Sequence, residues 1–375
     1  MIILGIETSC DETAAAVLEK KDKSIHILSN VVASSALLQA KYGGVIPEQA
    51  AREQIKAIIP VIKEALEQAQ VTSNKLDAVA VTYGPGLIGS LLVGVETAKT
   101  LATIWNKPLI PINHLLGHFY ANWIANKRLD VRSEKLDKEI RSLKIENPTS
   151  NFQLQDPSSN FQHPTSNLIP AFPCLGLLVS GGHTDLVLFT DHGKYKYLGG
   201  TRDDACGECF DKCARLLGLS YPGGPQISKL AQKGDPNKFK LPIPMKDSKD
   251  FDFSYSGLKT AVANIVRSSE LVVGSEKADL AATIEKTIVI SLVEKVVLAI
   301  QKYQVEQIMV AGGVAANQLL VLKLQIQSAK LKVELHIPPP NLCTDNGAMI
   351  AAAGFFSKPI KNSTHLQADP NLSLS

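Results

Sequence analysis

Two hydrophobic periods alternate along the chain, and each switch between them marks a change of element. Short apolar runs at 2–6, 14–18 and 25–32 have the length and branching of buried strands. A polar turn carrying Asp11, Glu12 and Thr13 joins the first two into a hairpin. From 47 to 69 the apolar positions recur with helical spacing, and Pro47 stands where a helix opens. A buried strand at 76–82 runs into Tyr83-Gly-Pro-Gly-Leu-Ile-Gly-Ser90, then a helix at 90–105 and a strand at 108–112. The predicted order is βββαβαβ.

The second half restates this order. An apolar strand at 175–179 leads through Ser180-Gly-Gly-His-Thr184 into strands at 186–190 and 195–198. Helical periods follow at 205–217, 226–232, 257–268 and 277–303. A strand at 307–311 enters Gly312-Gly-Val-Ala-Ala-Asn317 and a helix, a strand follows at 333–337, and a helix at 345–356 closes the pattern. The expected fold is α/β with two similar lobes across a cleft. The first lobe comprises 1–112 joined by about 339–375, and the second comprises 113–338. Between about 126 and 170 the pattern lapses. A stretch dense in both charges precedes the near-repeats Pro148-Thr-Ser-Asn-Phe, Pro157-Ser-Ser-Asn-Phe and Pro164-Thr-Ser-Asn. Too little apolar surface is present there to fold alone, so an inserted, mobile, non-catalytic surface loop is expected.

At 375 residues and 45% hydrophobic content the chain can build two real cores, and 20% charged residues argues against wholesale disorder. The net charge of +3 permits a polyanionic partner without demanding one. The first residues lack a basic segment and turn polar at Glu7, and the most apolar helix is broken by Glu294 and Lys295, so a soluble, cytoplasmic protein without membrane contact is expected. Six cysteines then read as reduced thiols. The spacing of Cys206, Cys209 and Cys213 suits a metal cluster, but it is also one face of a helix with no fourth ligand nearby, which favours packing.

His114 and His118 carry the sharpest chemical signal. Four residues apart on a helix, two imidazoles share a face and can grip one metal ion. A zincin protease needs a glutamate directly after the first histidine, and Leu115 stands there. With a lone aspartate, Asp345, the pair forms a two-histidine, one-carboxylate set that suits iron(II) or zinc. Two partly buried histidines bonded to backbone would give the same pattern. Gly84, Gly86 and Gly89 match G-x-G-x-x-G, yet the acidic residue a dinucleotide fold places about twenty positions on is missing, so the run reads as a tight turn. Three small-residue turns present backbone N–H groups to an anion: 7–12, 180–183 and 311–313. Together they describe a nucleotide clamp, and no Walker A motif is present.

These motifs resemble the actin/Hsp70/sugar-kinase (ASKHA) superfamily, and more narrowly the TsaD family of tRNA N6-adenosine threonylcarbamoyltransferases, once called O-sialoglycoprotein endopeptidases. The resemblance is carried by Gly5-Ile-Glu-Thr-Ser-Cys-Asp-Glu-Thr13, Gly43-Gly-Val-Ile-Pro-Glu48, Asn113-His-Leu-Leu-Gly-His118 and Val179-Ser-Gly-Gly-His-Thr184. It continues in Gly207-Glu-Cys-Phe-Asp-Lys212, Tyr221-Pro-Gly-Gly-Pro225, Phe253-Ser-Tyr-Ser-Gly-Leu-Lys-Thr260, Gly312-Gly-Val-Ala-Ala-Asn317 and Cys343-Thr-Asp-Asn-Gly-Ala348. The family resemblance implies transfer of threonylcarbamoyl from threonylcarbamoyl-adenylate to N6 of the adenosine 3′ of the anticodon in ANN-reading tRNAs, with release of AMP. It implies one divalent metal, Fe2+ or else Zn2+, on His114, His118 and Asp345. It implies nucleotide contacts at Leu178, Val179, Ser180, Gly181, Gly182, Asp211, Gly224 and Asn317, and places Asp11 and Glu12 in the cleft as candidate catalytic acids. Implied partners are a TsaB-like paralogue, a TsaE-like ATPase and a separate adenylate synthase upstream, with the helix at 90–105 as a candidate paralogue interface.

Two departures stand out: an insert longer than the family's, and cysteines at 206, 209 and 213 where small residues are expected. Lys212, Arg215, Lys246, Lys249 and Lys259 are candidate contacts to tRNA phosphates. Three rivals remain at this level: an ATP-dependent kinase or ATPase of the same superfamily, a metallopeptidase, and a non-catalytic scaffold of a tRNA-modifying complex.

Overall fold

A computed structural model describes residues 1–35, 39, 44–125, 169–268 and 275–375. The insert expected from about 126 lies outside the described residues up to 168, as does Gly43 of one motif.

Two five-stranded sheets organise the chain. In the first, β1 (Ile2–Glu7), β2 (Glu12–Lys21) and β3 (Ser24–Ser34) form an antiparallel meander, and β4 (Ala78–Gly84) and β5 (Leu109–Asn113) add in parallel, in the order β3-β2-β1-β4-β5. In the second, β6 (Cys174–Val179), β7 (Thr184–Asp191), β8 (Lys194–Gly200), β9 (Gln307–Ala311) and β10 (Glu334–His336) repeat that plan as β10-β9-β6-β7-β8. The turn after β1 is shorter than expected. Pairing of β2 with β3 extends to Glu12 opposite Ser34, which draws Glu12 and Thr13 out of the turn and into the strand.

The helices are α1 (Pro47–Ala69), α2 (Ile88–Ile104), α3 (His114–Tyr120), α4 (Cys206–Leu216), α5 (Gly223–Ala231), α6 (Ser256–Ser268), α7 (Ser275–Tyr303), α8 (Gln318–Leu331), the single turn α9 (Pro340–Cys343) and α10 (Gly347–Gly354). Strand β1 shows why the sequence reads as unbroken apolar runs. Leu4 and Ile6 face a core shared with Ile58, Val61 and Ile62 of α1 and Val95 of α2, while Ile3 faces the opposite core with Phe119 of α3 and Ile350 of α10. Both sheet faces are covered, so both alternate positions are apolar. A third core packs β6 against α4 to α8, with Phe210, Tyr255, Ile284 and Leu292 buried. Among the described residues no helix is long and apolar enough to cross a membrane.

Helix α10 begins two residues later than its hydrophobicity suggested, because Asn346 caps it by accepting from the Met349 N–H at 3.0 Å. Its small residues let it cross β1 and β2 at backbone distance. A Cβ on Gly347 would lie 2.5 Å from Ala16 N, and one on Gly5 would lie 2.5 Å from Ala351 N. This approach brings Asp345 to His114 and His118, just beyond β5. Helix α5 starts three residues earlier than expected, at Gly223, whose N–H is held by the Asp211 carboxylate at 2.6 Å.

Candidate functional site

Asn113 ends β5 and caps α3, accepting from the N–H groups of Leu115 and Leu116. The helix therefore opens on His114 itself, and helical spacing puts His118 on the same face. The two rings lie edge to face with centroids 4.7 Å apart. Asp345, just before α10, reaches both, with its Oδ1 3.2 Å from His118 Nε2 and 3.6 Å from His114 Nε2. One ligand atom from each of the three residues falls within 4.8 Å of the others, and among the described residues this is the one such cluster.

The cluster fits a metal ion. His118 is 2% exposed, and neither of its ring nitrogens has a hydrogen-bond partner among the described residues, although Asp345 lies close to Nε2. A buried imidazole left unbonded is costly unless something else takes its lone pair. His114 is oriented for the same task. Its Nδ1 lies 3.0 Å from Glu7 Oε2 and 3.2 Å from Ser9 Oγ, which leaves Nε2 toward Asp345. Burial opposes charge on His114, but the carboxylates of Glu7 and Asp345 outweigh it and raise its pKa to about 9. Burial likewise opposes charge on Asp345, yet the facing His114 and His118 hold its carboxyl well below the usual range.

Glu7 was not singled out from sequence. It is fully buried at the end of β1 and accepts from the Ser9 N–H, the Thr82 hydroxyl and the His114 ring. The segment after it is pinned from outside. Gln54 Nε2 donates to the carbonyls of Thr8, Cys10 and Glu12, and Ser90 Oγ donates to the carbonyl of Cys10. Asp11 is buried there. Burial raises the Glu12 carboxyl to about 9, with Asp345 and Asp11 adding to the effect.

The second hairpin turn closes on itself, with Ser180 N–H donating to the His183 carbonyl and His183 N–H to Ser180 Oγ. Leu178 and Val179 are fully buried, so a ligand would meet the turn rather than those side chains. A Cβ at Gly181 or Gly182 would meet nothing within 4 Å, and one at Gly224 only Phe210 Cβ at 3.9 Å, so all three face open space. Burial and the neighbouring His114 and His118 lower His183 to about 4, so this turn carries a neutral imidazole. Asp211 lies on α4, its carboxyl raised by burial against the opposing pull of the Gly223 and Gly224 N–H groups. Asn317 differs from a simple ligand contact. Its Oδ1 accepts from the Leu320 N–H as the cap of α8, and its Nδ2 donates to Ser228 Oγ at 3.0 Å and Glu285 Oε1 at 2.7 Å. Tyr221 lies where Asp11 and Asp211 both act on it, and burial with those charges raises its hydroxyl.

The remaining sequence candidates separate plainly. Gly84 and Gly86 admit the chain at Asp369 and Ser9 to backbone contact, so the glycine run serves packing. Cys206, Cys209 and Cys213 are buried in the core behind β6 and form no metal-ligating group among the described residues. Lys212 is bound to Asp204 and Glu208, which removes it from the free phosphate contacts. Lys246, Lys249 and Lys259 have no ion pair among the described residues, and Lys246 and Lys249 are exposed.

The family model TsaD, tRNA N6-adenosine threonylcarbamoyltransferase, matches residues 26–131 and 159–352. A relative of that name from Symbiobacterium thermophilum is 45% identical over 375 residues, covering 100% of this chain and 97% of the relative. Another from Dehalococcoides mccartyi strain BAV1 is 46% identical over 357 residues, covering 95% of this chain and 93% of the relative. Among solved structures, HypF of T. kodakarensis superposes with a TM-score of 0.56 at 14% identity, over 94% of this chain and 47% of that one. The fold is the two-lobed actin/Hsp70/sugar-kinase-like one.

Proposed function

The chain belongs to the TsaD family of tRNA N6-adenosine threonylcarbamoyltransferases, and on that premise we propose how its residues carry the transfer. The activity is that of an acyltransferase acting on tRNA, and family membership favours it over a kinase, an ATPase or a metallopeptidase. The observation that carries the reading is the buried His114–His118–Asp345 cluster, with the Ser180 turn close enough for both histidines to act on His183.

In this reading the donor is threonylcarbamoyl-adenylate. Its adenylate lies along Ser180, Gly181 and Gly182 with the backbone of Leu178 and Val179, and its nucleoside lies beside Asp211, Gly224 and Asn317. His114, His118 and Asp345 would hold one divalent metal, iron(II) suiting the two-histidine, one-carboxylate set and zinc being the alternative. When bound, such an ion supplies Lewis-acid stabilisation of charge on donor oxygens. The donor is a mixed anhydride, so its carbonyl is already activated, and the protein's task is alignment and charge stabilisation. The N6 amine of the tRNA adenosine 3′ of the anticodon attacks that carbonyl. A C–N bond forms, the anhydride C–O bond breaks, and AMP departs with the bonding electrons. Asp11 takes the amine proton. Glu12 is the alternative acceptor.

The lobes are read as 1–112 with about 339–375, and 113–338. Lys246, Lys249 and Lys259 are the tRNA phosphate contacts of this reading, and the location is cytoplasmic. Working partners are a TsaB-like paralogue, a TsaE-like ATPase and an upstream adenylate synthase. The half-exposed Ile88 and Leu92 of α2 beside Ile55 and Ile59 of α1 support a paralogue interface on that face. The test is transfer of labelled threonine from purified threonylcarbamoyl-adenylate to an ANN-reading tRNA, with and without chelator and with and without partners. Chelator-sensitive label in the tRNA is expected. Absence of label with all partners present, alongside ATP turnover by this protein alone, would overturn the reading.

A further inference from the structure

Glu285 of α7 is a buried carboxylate with no cation in ion-pair reach among the described residues, and it is 8% exposed. Burying a charge without a counter-ion is costly, and it persists where the fold supplies strong donors. Two are present, and both bind the same oxygen. Ser228 Oγ donates to Glu285 Oε1 at 2.6 Å, and Asn317 Nδ2 donates to it at 2.7 Å. Oε2 has no partner among the described residues. Ser228 lies one helical turn beyond Gly224, on the same face of α5, where a Cβ at Gly224 would find open space. The face of α5 that starts beside Asp211 thus ends at Ser228, which holds the Glu285 carboxylate through Oε1.

We propose that Glu285 is a ribose acceptor and specificity residue of the nucleotide site: its Oε2 takes a hydroxyl of the donor's ribose while Ser228 and Asn317 fix its Oε1. The inference rests on the nucleotide-site reading above. It gives Asn317 a positioning role, since both ends of that amide are engaged within the protein. Asp211 and Glu285 then approach the sugar from either end of the same stretch of α5, a pair of acceptors suited to a vicinal diol.

The test is calorimetric titration of the full-length protein with AMP, 2′-deoxy-AMP and 3′-deoxy-AMP. A hydroxyl bonded to a carboxylate predicts that AMP binds about ten- to a hundredfold tighter than one of the deoxy analogues. Glu285→Gln keeps the shape and the amide oxygen for Ser228 but removes the charge. It is expected to weaken AMP by that factor and leave the discriminated deoxy analogue unchanged. A residue that only braces α8 would lower the melting temperature and leave the ratio intact, and that outcome overturns the proposal. Collapse of the ratio in Asp211→Asn but not in Glu285→Gln overturns it as well. Should Glu285→Gln fail to fold, Glu285→Asp, which withdraws the oxygen by one methylene, carries the same comparison. No AMP binding by the wild-type protein would defeat the nucleotide-site reading itself. AMP binding with an unaltered ratio would defeat only the role of Glu285.

Discussion

Glu7 Oε2 lies 3.0 Å from His114 Nδ1, so the last residue of the first strand fixes a ring on a helix 107 positions away. With Nδ1–H donating to this carboxylate, Nε2 is the nitrogen left with a lone pair for a metal. Glu7→Gln is therefore expected to weaken metal binding about ten- to a hundredfold, the usual range for such supporting partners. Competition with a chromophoric chelator measures it. An unchanged affinity would remove Glu7 from the site.

Chelation should lower the melting temperature of the metal-loaded protein, because a ligand that binds only the folded state stabilises it by about 2.7 kcal/mol at a hundred times its dissociation constant. His118→Ala should abolish the difference between loaded and chelated protein. Scanning calorimetry on both proteins, with and without chelator, decides the point. A chelator effect that survives in His118→Ala would place the metal elsewhere.

Gly347→Ala puts a methyl group 2.5 Å from the Ala16 backbone N–H, where no side-chain rotation relieves it. Overpacking of this kind costs about 1–3 kcal/mol, and here it also pushes Asp345 away from the histidines. Urea unfolding should show the loss of stability, and metal titration should show weaker binding in the same variant.

Asp185 makes stability depend on pH in a definite direction. Burial raises its carboxyl from 3.8 to about 6, against the hydrogen bond from Tyr197 Oη, which is 3.0 Å long. Between those two values the folded state binds more protons than the unfolded one. Its contribution is therefore full below about 3.8 and is lost as pH rises through about 6. Urea midpoints for the wild type and Asp185→Asn at pH 4.5 and pH 7 isolate the effect, because the variant should lack this part of the pH dependence.

Much of the site was legible in the chain because its signals are local. The spacing of His114 and His118, the Gly-Gly turns and the motif around Asp345 are each contained in a few residues. Glu12 shows where local reading stops. Its polar neighbours read as a turn, but cross-strand pairing with Ser34 places it in β2, and burial beside Asp345 raises its carboxyl. Asn317 shows the same limit, since its amide is engaged by Ser228 and Glu285, 89 and 32 positions away.

The sequence by itself determined the order of strands and helices, the repetition of one plan in two halves, and the residue types of the candidate metal and nucleotide sites. These follow from hydrophobic period and turn chemistry, which act over a few residues. Only the tertiary structure decided that Glu7 orients His114, that Gln54 and Ser90 hold the loop bearing Asp11, and that Glu285 stands behind Asn317. Those relationships depend on how closely α10 crosses β1 and how α5, α7 and α8 meet. Such distances are set by packing among residues far apart in the chain, which no local pattern encodes.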